Sequence, residues 1–106
     1  MERITVMIEE DDFVTQCIGV VDNNTFYGFV ASLSYMIKDD HIVSIPMEDC
    51  KPDKDWNTIF QKEFPIHSIV SDDPKTDTRI KMIPENEVSS HILQELSEAR
   101  KLYNSL

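Results

Sequence analysis

Ile4, Val6 and Ile8 fall on one side of a two-residue alternation, and further strand-like runs follow it to residue 45. Each run is closed by a polar or acidic break, and this punctuation constrains the fold more than any other feature. Residues 3–8 read as a first strand and Glu9-Glu10-Asp11-Asp12 as an acidic turn. Residues 13–21 carry Phe, Val, Thr and Ile, types that suit a pleated surface. Asp22-Asn23-Asn24 then marks a turn, because Asn and Asp tolerate left-handed backbone.

Residues 25–37 fit two templates. As a strand, Tyr27, Phe29, Ala31, Leu33, Tyr35 and Ile37 share a face. As a helix, Phe26, Phe29, Val30, Leu33 and Ile37 make a stripe capped by Asn24 or Thr25. The aromatics, Gly28 and the hairpin-like link through Lys38-Asp39-Asp40 to residues 41–45 favour the strand.

The second half changes character. Residues 46–54 form a polar loop, and Asp53 or Asp55 is placed to cap a short helix. That helix runs through Trp56, Ile59, Phe60 and Phe64 to a stop at Pro65, with Trp56 expected in the core. Residues 66–70 and 78–83 flank a polar tip and read as a hairpin. Pro84 opens a terminal helix whose stripe is Val88, Ile92, Leu93, Leu96, Ala99, Leu102 and Tyr103. The expectation is a single α+β domain over residues 1–106. It comprises a largely antiparallel sheet of about six strands (β-meander, short helix, β-hairpin) with a C-terminal amphipathic helix packed on one face.

Charge is distributed unevenly. The formal net charge is −10, and residues 1–50 hold ten acids against two bases, a balance of −8. Residues 51–106, with ten acids and eight bases, are an ordinary mixed surface at −2. An excess of this sign argues against direct contact with nucleic acid or an anionic membrane. The acids cluster at turns. In a meander, alternate turns leave the sheet at one end, so Glu9, Glu10, Asp11, Asp12, Asp39 and Asp40 are expected within roughly 10–15 Å of one another. Glu48 and Asp49 extend the acidic set. Such carboxylates either solubilise the chain or steer a basic partner onto it.

Chemistry finds little to work with. Two glycines in the whole chain exclude phosphate-cradling loops. Cys17 and Cys50 match neither a disulfide framework nor a zinc motif, and Asp49 makes Cys50 a poor nucleophile. Asp39, Asp40 and His41 offer oxygen ligands without a diagnostic spacing, so no metal and no cofactor are expected. Asp53 followed by Asp73-Pro74-Lys75 matches a nuclease pattern only formally, with a proline inside the second element. His91 is expected to pair with Glu95 one helical turn on. Met-Glu-Arg-Ile at the start has neither the basic nor the apolar region of a secretory leader, so a cytoplasmic location is expected.

The resulting expectation is a small acidic, non-enzymatic protein-binding module. Its sharpest form is a stoichiometric inhibitor of the immunity or anti-defence type, mimicking nucleic acid on a basic partner that is itself a nucleic-acid-binding protein. The alternative is an assembly subunit, a homodimer or larger oligomer joined through an edge strand or the terminal helix.

Overall fold

The alternation of the first run is realised as β1, Glu2–Glu9, in a computed structural model that describes residues 1–31, 37–60 and 64–105, with Phe60 described in its backbone alone. β2 (Val14–Asp22), β3 (Thr25–Val30) and β4 (His41–Pro46) follow, each antiparallel to the one before. The β2–β3 turn has two central residues, Asn23 and Asn24, at φ 48° and 59°. Two positive φ values in succession define the hairpin turn whose twist matches the strands, and Asn accepts that backbone. The strand reading of residues 25–37 holds to Val30; residues 32–36 lie outside those described.

The expected hairpin of residues 66–70 with 78–83 does not form. β5 (Lys51–Pro52), β6 (Ile66–Val70) and β7 (Lys81–Pro84) complete a seven-stranded mixed sheet in the order β5-β6-β1-β2-β3-β4-β7. β6 lies parallel to β1, and β7 lies antiparallel to β4 on the other margin. The reason is visible in β1, where Ile4 to Ile8 are all buried, on both faces. A strand of this kind needs a neighbour on each side and cover on both faces. β6 supplies the second neighbour, and residues 71–80 return the chain to the far margin.

A short link dictates the shape of the sheet. Met47 to Cys50, of which Met47–Asp49 form a 3-10 turn, join β4 to β5. A link of this length spans at most about 18 Å when fully extended. Five strand spacings of a flat sheet would demand about 24 Å. The sheet therefore curls until its margins approach. Ile4, Val6 and Ile8 of β1, Cys17, Phe26, Val43, Ile45, Cys50, Ile69 and Ile80 fill the concave side.

The chain's two glycines face each other across this curl, Gly19 on β2 against Gly28 on β3. A Cβ at Gly28 would enter the Phe26 ring, and one at Gly19 would enter the backbone carbonyl of Tyr27. Close approach of backbone to backbone explains the residue type at both positions.

The convex side is covered by α2 (Ser90–Ser105), which lies chiefly over β2. Ile92, Leu96 and Ala99 pack with Ile18, Val20, Ile42 and Phe64. Leu102, expected in the stripe, is 36% exposed. Pro84 ends β7 rather than opening the helix, because its neighbour across the ladder is His41; a 3-10 turn at Glu85–Glu87 intervenes. The shorter α1 (Lys54–Phe60) starts as expected: the Asp53 carboxylate accepts the Asp55 and Trp56 N–H groups at 3.0 and 3.2 Å. Ile59, assigned to its apolar stripe, is 66% exposed, and Phe64 reaches the convex core from beyond the helix.

Alanine at the two glycines tests the curl. Gly28→Ala is expected to lose about 1–3 kcal/mol, since the added Cβ meets the buried Phe26 ring and lies 2.8 Å from the Ile18 carbonyl, and Gly19→Ala more, since every atom it meets is backbone and the Tyr27 carbonyl lies deepest. Urea unfolding of the two variants measures the order; equal or negligible losses would contradict the account.

Candidate functional site

The end of β1 gathers the acidic turns with exposed apolar side chains. Glu9 stands between Val14 of β2 and Val70 of β6 in the ladder, on the convex side. Val70 is 67% exposed, Val14 37% and Phe13 42%. Glu10 N–H donates to the Phe13 carbonyl at 2.9 Å, closing the turn, and Trp56 Nε1–H donates to Glu9 Oε1 at 3.2 Å. Trp56 is thus half-buried at the edge of this surface rather than in the core. Among the described residues Glu10 Oε2 is buried with no hydrogen-bond partner, which costs desolvation.

The loop after β6 joins the same place. Ser71 N–H donates to the Glu9 carbonyl at 2.9 Å, which brings Asp72 and Asp73 beside the β1–β2 turn. Arg79 organises the loop. Its guanidinium holds the Asp77 carboxylate at 2.6 Å and the Val70 carbonyl at 2.8 Å, while Ser71 Oγ–H donates to Asp77 Oδ2 at 2.8 Å. The Arg79 hydrogen bond, aided by the backbone N–H of Arg79 and by Ser71, keeps the Asp77 carboxyl well below the usual range against the opposing effect of burial. Asp49 faces the same guanidinium, which its charge favours.

The eight acids singled out from the sequence therefore fall into groups. Glu9, Glu10, Asp11 and Asp12 share their surface with the 72–77 loop. Asp39 and Asp40 precede β4; the register keeps them at the same end of the β1–β4 ladder. Hydrogen bonding ties them elsewhere, since the Asp40 carbonyl accepts Glu85 N–H at 2.7 Å. Glu48 and Asp49 sit on the 3-10 turn after β4. Asp72, Asp73 and Asp77 fall outside the acidic set expected from the sequence, because a hairpin tip carries them away from β1. The signal for including them is the doubly buried run of β1, which calls for a second partner strand.

Other groups are structural. Burial first, then Cys50, pushes the Cys17 thiol up to about 12. Burial and Asp49, opposed by Arg79, push Cys50 up to about 11, so both remain protonated at neutral pH. Asp53 and Asp73, the carboxylates of the formal nuclease pattern, cap backbone N–H groups, Asp73 Oδ1 accepting that of Lys75 at 3.1 Å. His91 does not pair with Glu95: its Nε2 lies 4.0 Å from the Asp22 carboxylate and its Nδ1 3.1 Å from Ser89 Oγ. Asp22 wins because the β2 terminus lies under the start of α2. Among the described residues no three His, Cys, Asp or Glu side chains converge as a metal cage, and no helix is long and apolar enough to cross a membrane. No protein-family profile, curated protein or solved structure matches this chain.

Asp77→Asn is expected to cost about 1 kcal/mol at neutral pH, screening at the part-exposed Arg79 limiting the loss. The contribution is complete above the unfolded carboxyl value of about 3.9 and fades as pH falls below it. Unfolding curves of wild type and variant should therefore converge below about pH 4. A gap unchanged down to about pH 2 would contradict the assignment.

Proposed function

We propose that this protein is a non-enzymatic binding module that docks a basic protein onto the surface around Val14, Glu9 and Val70. The observation that carries the reading is the pair of exposed valines, Val14 and Val70, flanking Glu9 beside exposed Phe13, with further carboxylates around them. Exposed apolar side chains bordered by charge are the anatomy of a protein docking surface. Glu10, Asp11, Asp12, Asp72 and Asp73 supply the rim, and the exposed carboxylates of Asp11, Asp12, Asp72 and Asp73 are acceptors within reach of an incoming Lys or Arg. Carboxylates so placed speed encounter and set register, while the valines and Phe13 provide contact area. In its sharpest form the module is a stoichiometric inhibitor of the immunity or anti-defence type. It occupies the channel of a nucleic-acid-binding protein by competing for the Lys and Arg residues that otherwise hold phosphates.

The alternative, assembly into a homo-oligomer, draws less support. β5 offers an edge of two residues, β7 one of four ending at Pro84, and α2 commits Ile92, Leu96 and Ala99 to the sheet.

Two variants test the reading in capture from a host lysate. Val70→Asp adds negative charge but removes an apolar contact; Glu10→Lys, Asp11→Lys and Asp12→Lys together reverse the rim. One stoichiometric partner, released by salt and by competing duplex DNA and lost from both variants, is the expected result. A partner retained by both variants, or self-association alone, would overturn it.

A further inference from the structure

Away from that surface, the convex face carries a groove that α2 leaves open. The helix lies chiefly over β2 and reaches Ile42 of β4, and a cleft stays open between its Leu93 side and the start of β4 and end of β7. Two hollows meet there, of about 230 and about 530 Å³, sharing His41, Glu85 and Leu93 in their walls. Phe29, Ile42 and Leu96 line the inner one.

The ends of the groove differ in charge. Arg100 closes the inner end, its guanidinium 4.9 Å above the centre of the Phe29 ring. Asp39, Asp40 and Glu85 line the outer hollow together with Pro84 and Leu93, and neither Lys nor Arg is among its described lining residues. The two lips are held in register. β4 pairs with β7 through His41 and Pro84, the Asp40 carbonyl accepts Glu85 N–H at 2.7 Å, and His41 Nδ1 lies 3.0 Å from the Asp39 carbonyl. Asp40 sits in left-handed backbone at φ 65°.

We propose that this groove takes an arginine or lysine side chain from a basic polypeptide. The aliphatic stem would lie along Leu93 and Pro84, and the cationic head would face Asp39, Asp40 and Glu85, pointing away from Arg100. Long basic side chains combine those two needs, an apolar wall for the stem and acceptors for the head. Charge complementarity selects this occupant over an apolar or acidic one. The inference rests on the reading of the protein as a binder of basic chains, and it places a second contact of that kind away from Val70.

The test is an NMR titration of the ¹⁵N-labelled full chain with acetyl-Ala-Arg-Ala-amide and with the same peptide carrying citrulline, a neutral isostere of arginine. The arginine peptide is expected to shift the amides of His41, Asn86 and Leu93 and to bind at least about tenfold more tightly than the citrulline peptide. Asp40→Asn combined with Glu85→Gln should remove that preference. Asn keeps the left-handed backbone of position 40, so the amides of β1 should stay in place. Should that pair disturb the fold, Asp39→Asn alone, on an exposed turn, is expected to weaken the preference in the same direction. Equal binding of the two peptides overturns the proposal, as do shifts confined to residues 10–14 and 70–73. Groove shifts that depend on protein concentration without peptide would assign the groove to a second copy of the chain, and also overturn it. The titration uses no cellular partner, so its failure leaves the Val70 surface standing, and loss of the Val70 reading leaves this result readable.

Discussion

The link from Met47 to Cys50 is the constraint on which the rest of the structure depends. It joins strands near opposite margins of a seven-stranded sheet, and its reach is shorter than the flat sheet is wide. Curling follows from chain length alone. The curl makes one face concave, so β1, β2, β4 and β6 share an inner core that also takes in Cys50 and Ile80. It crowds β2 against β3, where only Gly19 and Gly28 fit. On the convex side the same curvature leaves space for one helix over β2, and hence for the open groove beside β4 and β7.

Electrostatics enters as a consequence of that geometry. Parallel pairing of β6 with β1 sets the 72–77 loop against the β1–β2 turn, concentrating carboxylates that the chain scatters. The fold uses several of them for itself: Glu9 accepts the Trp56 indole N–H, Asp73 accepts the Lys75 N–H, and Asp77 binds Arg79, whose guanidinium also holds the Val70 carbonyl. This knot fixes the end of β6 and so presents Val70. Asp11, Asp12 and Asp72 beside it add like-charge repulsion, a cost that the proposed basic partner would relieve. By contrast the exposed Glu98–Lys101 contact, at 3.9 Å on α2, contributes little.

Where a local rule was strong, the sequence was readable. Asn23-Asn24 defined its turn, Asp53 capped α1, and the alternation in residues 3–8 and 41–45 gave strands. The helical stripe of α2 held at Ile92, Leu96 and Ala99. What could not be read was pairing at a distance. Two adjacent runs with a polar tip look like a hairpin whether or not they pair, and only the doubly buried face of β1 favours the other solution. β5 is two residues long and carries no pattern. Ile59 and Leu102 show the limit of periodicity: apolar spacing names a face, but the neighbouring surface decides whether it is covered. The candidate site was half legible for the same reason. Its β1–β2 acids stood out as a run, whereas Val70, Asp72 and Asp73 reach it only through the parallel ladder.

Hydrogen–deuterium exchange of the protein, alone and with a purified captured partner, tests the central claim most directly. The account predicts slowed exchange at residues 9–14 and 70–73, lost when salt releases the partner, with residues 17–22 of β2 and all of β3 unchanged. Protection confined to β5, β7 or the outer side of α2, with residues 9–14 and 70–73 exchanging as in the free protein, would contradict it.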